Sequence, residues 1–122
     1  MDVSVNWKKF DCEFQGEKIS MMLRPLRRGA ALKIFPYLGK SPEANTYKLV
    51  MDTLELQAMV PELLPGHMKD LDLTIDGAPV KLEDLAEESM LTPLVANIVA
   101  ELIRMSFFKK RDEKNSDAPS AA

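Results

Sequence analysis

The sequence predicts an α+β domain, in which a β-hairpin and a short later strand pack with three to four helices. Two alternating apolar segments flank Gly16, a third ends in an Asp-Gly turn, and residues 91–103 carry an apolar stripe at helical spacing. With 122 residues and 46% hydrophobic content, the chain suits one modest core. We expect a single domain over residues 1–106 and a polar, disordered tail over residues 107–122.

The predicted last helix has the clearest pattern. Thr92 is placed to cap it, and Pro93 takes the first helical position, where a missing N–H costs nothing. Its apolar stripe requires burial in a core or against a partner, so Ile98 and Leu102 are candidate partner-binding residues. The opposite face is expected to meet water; it consists of Asn97, Glu101 and Arg104.

The N-terminal alternation predicts two strands joined at Gly16. The first segment changes parity near Lys8, which predicts a bulge or a short break there. Its two halves consist of Val3, Val5 and Trp7, and of Phe10, Cys12 and Phe14. The return strand places Ile19, Met21 and Leu23 on its inner face. Met22 points to the other face and is a candidate contact residue.

Two helices are predicted between the hairpin and the third strand. One covers residues 26–35 and stops before Pro36. The other starts at Ser41 and runs to about Val60, where Pro61 ends it. Its apolar face would consist of Tyr47, Val50, Met51, Leu54, Ala58 and Met59.

The region before the last helix is expected to hold a loop, a strand and a brief helix. Residues 61–70 contain two prolines and a glycine, which is typical of a loop. The strand ends at the Asp76-Gly77 turn, after which Val80 begins a short return strand. Its inward positions are Leu71, Leu73 and Ile75. The brief acidic helix over residues 81–90 would point Leu82 and Leu85 inward.

Polar residues give only weak signals for chemistry. The basic group formed by Arg24, Arg27, Arg28 and Lys33 lacks a glycine-rich cradle, which favours a solvated face over a phosphate site. His67 has no catalytic companion at a recognisable spacing and is expected at the surface. The acids Asp70, Asp72 and Asp76 do not have the spacing of a calcium loop. We therefore expect no enzyme, no cofactor and no metal; an enzyme would need a cleft around His67 and these acids.

Charge and cysteine content narrow the range of partners. A formal net charge of -3 gives no electrostatic footprint for nucleic acid. Cys12 is the only cysteine, which fits a small buried hydrophobe in a reducing cytoplasm. The sequence MDVSVNWKK is not a signal peptide, and we expect no apolar run near the roughly 18 residues that cross a bilayer. The prediction is a soluble cytoplasmic protein without a nucleic-acid or membrane partner.

The C-terminal segment changes character after Ser106. Phe107 and Phe108 either finish the last helix or serve as exposed anchors for a partner, and they complete the candidate partner-binding set. The following residues, KKRDEKNSDAPSAA, include no apolar side chain larger than alanine. That composition predicts disorder.

The layout of the chain resembles the tail assembly chaperones of long-tailed bacteriophages. The stretches that carry the resemblance are ISMMLRPL, LDLTIDGAPVKLEDLAEE, and the helix TPLVANIVAELIRMS followed by EKNSDAPS. The resemblance implies a non-enzymatic phage or prophage protein that coats the mostly helical tape measure protein in the host bacterial cytoplasm. It also implies recruitment of tail tube subunits, absence from the finished virion and, in many members, a longer form made by ribosomal frameshifting. Codon runs that encode Phe107-Phe108 and Lys109-Lys110 can form a slippery site.

Other functions remain open at this stage. Eight methionines can supply the adaptable contacts of a promiscuous binding surface, although most of them are expected in the core. One alternative is a structural tail completion or head-tail joining protein that stays in the particle. Another is a small protein-binding domain of unknown partner. A homo-oligomer is compatible with each.

Overall fold

A computed structural model of the chain describes residues 1–39 and 45–108 and has the predicted α+β fold. In order, its elements are β1 (Lys8–Phe14), β2 (Glu17–Leu23), α1 (Arg28–Ile34), α2 (Thr46–Asp52), α3 (Leu54–Ala58), α4 (Val60–Leu63), β3 (Met68–Lys69), β4 (Thr74–Ile75), β5 (Ala78–Pro79), α5 (Leu82–Glu87) and α6 (Thr92–Ile103). Short 3₁₀ turns lie at Phe35–Tyr37 and Ser89–Leu91, and a π-helical turn, Arg104–Phe108, continues α6. The predicted disordered tail, apart from its first two residues, lies outside the described residues.

The N-terminal hairpin is confirmed. β1 and β2 pair antiparallel from Lys8 opposite Leu23 to Phe14 opposite Glu17. The turn residues Gln15 and Gly16 have φ of 54° and 81°, the left-handed pair that matches the twist of a tight hairpin. The strand predicted before Lys8 is wrong, because β2 ends opposite Lys8 and offers residues 1–7 no pairing partner. The exposed apolar side chains there are Met1, Val3 and Val5.

A third strand, which the sequence did not predict, completes the larger sheet. β3 pairs antiparallel with β2 and gives the strand order β1-β2-β3. Asp70, with φ of 58°, then inserts one residue into this strand. The Asp72 N–H consequently donates to the Ser20 carbonyl oxygen at 3.0 Å, one position later than regular pairing would allow. This insertion is a β-bulge, and it turns the chain away from the sheet.

The second hairpin confirms the predicted Asp-Gly turn. β4 and β5 pair across Asp76 and Gly77, whose φ values are 51° and 81°. The Val80 N–H donates to the Leu73 carbonyl oxygen at 3.0 Å and extends the return strand. The inward positions are half-buried, as the alternation predicted; they are Leu71, Leu73 and Ile75.

The single long helix predicted up to Val60 is wrong. Thr53 adopts an extended conformation, with φ of -115° and ψ of 97°, and separates α2 from α3. The Gln57 amide nitrogen donates to the Val50 and Met51 carbonyl oxygens at 3.1 and 2.9 Å, which satisfies the end of α2. Because of this break, Leu54 does not lie on a buried apolar face as predicted; it is 73% exposed.

Both ends of this helical region also differ from the prediction. The predicted cap Ser41 lies outside the described residues, whereas the Asn45 side chain accepts from the Lys48 N–H at 3.0 Å and caps α2. Pro61 was expected to end a helix and lies in the first turn of α4. A proline is tolerated there because the first helical N–H groups have no partner within the helix. Part of the expected loop over residues 61–70 is therefore helical, and part forms β3.

Helix α6 forms the centre of the core and packs against α2, α5 and β1. Its buried residues are Leu94, Val95, Ala96, Ile98, Val99, Ala100, Leu102 and Ile103. The polar side expected to meet water is narrower than predicted, since Asn97, Glu101 and Arg104 are only half exposed. Thr92 is already helical and caps nothing; Leu91 takes the cap position.

Ser106 joins the end of this long helix to the start of α1. Its hydroxyl donates to the Leu102 carbonyl oxygen at 2.6 Å and accepts from the Leu26 N–H at 2.8 Å, across 80 residues of sequence. Helix α1 occupies most of the predicted range 26–35, and Pro36 follows it in a 3₁₀ turn. One flank of α1 therefore lies beside the C-terminal end of α6.

Candidate functional site

Two of the candidate partner-binding residues belong to the core. Ile98 and Leu102 have 0% exposed area, so they have no surface with which to meet a partner in this conformation. They were candidates because they belong to the apolar stripe of α6. This stripe is buried within the domain itself, against the neighbouring helices and the sheet. Met22 is half-buried on the outer face of the sheet, opposite Lys9 on β1 and Lys69 on β3.

The other two candidates contribute to an exposed apolar surface. Phe107 and Phe108 are half-buried in the π-helical turn, with ring centroids 6.2 Å apart. Phe107 also lies 6.2 Å from Phe35, whose side chain is 63% exposed. One turn back on α1, Leu32 is 65% exposed. We call these four residues, Leu32, Phe35, Phe107 and Phe108, the aromatic patch.

The sequence identified only two of the four residues of the aromatic patch. Phe107 and Phe108 stood out as bulky residues ahead of a polar segment, whereas Leu32 and Phe35 sit in a helix whose faces the sequence did not separate. Ile34 is fully buried, whereas Leu32 of α1 and Phe35, the first residue after this helix, are exposed. A short helix with apolar residues on two faces is the signal that would have identified them.

His67 is buried, which corrects the expectation of a surface residue. Only 4% of it is exposed, and both ring nitrogens are engaged. Nε2 accepts from the Arg27 N–H at 2.9 Å, so the proton must lie on Nδ1, which donates to the Leu63 carbonyl oxygen at 2.6 Å. Burial lowers the pKa of His67, and the nearby Arg24 and Arg27 charges lower it further against the effect of the Leu63 hydrogen bond.

This hydrogen bonding makes His67 a structural link among three segments. Its backbone carbonyl oxygen accepts from the Arg24 N–H at 3.1 Å, where β2 leads into α1. Its ring joins Arg27, just before α1, to Leu63 of α4. A ring with both nitrogens occupied is not free to take a proton from a substrate in this conformation.

An open cleft of about 460 Å³ lies beside His67, between α1 and α4. Its lining residues are Arg27, Gly29, Ala30, Lys33, Met59, Glu62, Leu63, Pro65, Gly66 and His67. Lys33 and Glu62 form an ion pair at 3.3 Å on its rim. Of the basic group identified in the sequence, only Arg27 and Lys33 line the cleft.

The remaining polar candidates do not form a site. Asp70 lies in the bulge, Asp76 lies in a turn, and Asp72 is exposed. Across residues 1–39 and 45–108, no three His, Cys, Asp or Glu side chains are grouped closely enough to hold a metal ion. Cys12 is half-buried on β1, and burial raises the pKa of its thiol.

One helical run is long and apolar enough to cross a membrane, contrary to the sequence expectation. It covers the 20 residues Ser89–Phe108, within which an 18-residue window has a mean hydropathy of 1.4, and it includes α6 and the turns at both of its ends. More than half of its apolar window is buried inside the fold. The core helix of a soluble protein meets the same criterion, so this run is weak evidence for a membrane span.

Comparison with protein-family models, with curated proteins and with solved structures gives no significant match to this chain.

Proposed function

We propose that this protein is a non-enzymatic tail assembly chaperone of a long-tailed bacteriophage. In this proposal it binds the tape measure protein in the host bacterial cytoplasm and helps recruit tail tube subunits. The observation that carries the proposal is the aromatic patch, in which Phe35 is 63% exposed although it packs beside Phe107. Aromatic groups that remain exposed on a folded domain are the usual anchors of a protein interface.

The patch suits a helical partner. Leu32 of α1 and Phe35, which begins the following 3₁₀ turn, are three residues apart, and Phe107 extends the same surface from another element. Such a ridge can pack against the apolar stripe of an amphipathic helix, which repeats at three and four residues. The tape measure protein is expected to present many such stripes, because it is long and mostly helical.

The gene neighbourhood provides the first test. We expect a long coding sequence for a tape measure protein downstream, together with an overlapping frame near the codons for Phe107 to Lys110. If neither is present, the phage assignment is wrong, and the chain is a protein-binding domain with another partner. The protein composition of purified particles distinguishes the chaperone from the structural alternative. A chaperone is absent from the finished virion, whereas a tail completion or head-tail joining protein remains in it.

The second test measures binding to fragments of the neighbouring long gene product. Phe35→Ser should weaken binding about tenfold or more, because burial of a phenylalanine contributes about 1.5–3 kcal/mol. The control is Leu54→Ser, which removes an apolar side chain of similar exposure from α3, outside the patch. Both variants should keep their stability within about 1 kcal/mol of the wild type. Equal binding by the wild type and Phe35→Ser would exclude the patch as the contact surface.

A further inference from the structure

The cleft between α1 and α4 is lined by an exposed cation, Arg27, without an anionic partner among the described residues. Arg27 lies in none of the ion pairs formed by residues 1–39 and 45–108. Lys33 and Glu62 pair on the same rim at 3.3 Å, and the His67 ring is neutral because Nε2 accepts a hydrogen bond. Two cations and one carboxylate therefore leave the lining with one net positive charge, which Arg27 carries.

The backbone of Arg27 is anchored, and its exposed side chain lies beside Gly66. The Arg27 backbone N–H donates to His67 Nε2 at 2.9 Å, which anchors the main chain. Its guanidinium group lies over Gly66, where an added β-carbon would be 3.8 Å from the guanidinium carbon. Gly66 has φ of 87°, a backbone conformation that favours glycine at this turn.

The rest of the cleft has both apolar and polar walls. Its walls include Ala30, Met59, Leu63 and Pro65, and its volume of about 460 Å³ lies within the range of small-ligand sites. An arginine that lines a cleft together with apolar side chains matches a ligand that carries a single carboxylate on an apolar body. A highly charged anion would leave the apolar walls unmatched and would repel Glu62.

We propose that this cleft is a binding site for an apolar carboxylate, with Arg27 as the residue that pairs with the carboxylate group. The ligand chemistry has two possible sources: a free apolar acid, or an acidic residue beside apolar residues in a peptide. The site is separate from the aromatic patch, because Gly29, Ala30 and Lys33 of α1 line the cleft whereas Leu32 and Phe35 belong to the patch. The proposal does not depend on the phage assignment.

Titration of the ¹⁵N-labelled full chain, followed by NMR, tests this site. The probes are 4-phenylbutyrate and its neutral analogue 4-phenylbutanamide, the blocked peptide Ac-Leu-Glu-Leu-NH₂ and its Gln counterpart, and inorganic phosphate. We expect shifts at Gly29, Lys33, Gly66 and His67 with one or both carboxylates, at an affinity about tenfold above that of the matched neutral probe. The tighter of the two carboxylates identifies the source of the natural ligand.

Two arginine variants make the test specific. Arg27→Gln should abolish the preference for the carboxylate over the amide and should keep the fold, because the hydrogen bond to His67 uses the backbone N–H. Arg28→Gln removes an adjacent exposed charge that does not line the cleft, and it should bind like the wild type. The proposal is overturned if both variants lose binding equally, if the amide or phosphate binds as well as the carboxylate, or if the shifts lie outside the cleft.

Discussion

The backbone N–H of Arg27 donates to Nε2 of His67 at 2.9 Å, and this bond fixes the protonation state of the only histidine in the chain. Protonation of Nε2 would remove the acceptor and place a second donor against the N–H. Because burial also opposes the charged ring, the folded protein favours neutral His67. Folding stability is therefore linked to pH through one residue.

The first prediction follows from the sign of this linkage. The pKa of His67 is lowered from its ordinary 6.5 in the folded state, so the unfolded chain takes up the proton first as pH falls. The free energy of unfolding should be constant above about pH 7.5 and should decrease as pH falls from there to 5.5, by at most about 1.4 kcal/mol per pH unit. Urea unfolding at closely spaced pH values measures this change.

The control for the pH prediction is His67→Gln. The Gln side-chain oxygen can accept from the Arg27 N–H, and the variant has no group that titrates near pH 6.5 at this position. Its free energy of unfolding should be lower than that of the wild type at pH 7.5 and nearly flat down to pH 5.5. A flat wild-type curve, or the same slope in both proteins, would show that His67 is not the linked group.

The second prediction concerns the buried side of α6. Ile98→Asp places an unpaired carboxylate at a position with 0% exposure, which should cost about 4 kcal/mol or more and unfold most of the protein. Asn97→Asp adds the same charge at the adjacent, half-exposed position and should cost less than about 1 kcal/mol. Far-UV circular dichroism with urea unfolding compares them. Native stability in Ile98→Asp would mean that the stripe is not the core.

The third prediction concerns the break between α2 and α3. Gln57→Ala removes the two hydrogen bonds to the Val50 and Met51 carbonyl oxygens and should lower the free energy of unfolding by about 1–2 kcal/mol. Gln57→Glu should have a still lower free energy of unfolding than Gln57→Ala at pH 7, because a carboxylate would face two carbonyl oxygens. The difference in free energy of unfolding between Gln57→Glu and the wild type should become smaller near pH 4, where the protonated acid can donate a hydrogen bond to a carbonyl oxygen. Equal stability of wild type and Gln57→Ala would show that the amide does not hold the break.

The fourth prediction compares two glycines whose added β-carbons would meet no atom within 4 Å. Gly77 has φ of 81° in the second hairpin, so Gly77→Ala should lower the free energy of unfolding by about 1–2 kcal/mol through backbone strain alone. Gly29 lies within α1, so Gly29→Ala should raise it by about 0.5–1 kcal/mol. The two substitutions should shift the melting temperature in opposite directions, as measured by differential scanning calorimetry. Shifts of the same sign would contradict the assigned backbone conformations.

Patterns that repeat along the chain predicted the structure well, and single interactions across the chain did not. The two hairpins and α6 follow from alternation, turn residues and helical spacing, all of which are local. The break at Thr53 depends on Gln57 reaching back to α2, and the two-residue strand β3 depends on the free edge of β2. Neither partner can be recognised from the neighbouring sequence.

The contrast between local patterns and contacts across the chain also explains which residues of the candidate site could be predicted. Helical spacing identified Ile98 and Leu102 as apolar but could not say that this domain buries them itself. His67 was placed at the surface because its partners Arg27 and Leu63 become neighbours only when α1 packs near α4. Phe107 and Phe108 were identified by local composition, and their neighbour Phe35 required the packing of α1 against the end of α6.

The hydrogen bond from Leu26 to Ser106 also has a consequence for the order of events during synthesis. The ribosome makes the hairpin before the central helix, so β1 has no α6 to pack against until the intervening chain has been translated. Contacts between the two ends of a chain also slow folding, because a long loop must close before they form. The nascent protein therefore remains exposed to cellular chaperones and proteases until its last helix has emerged.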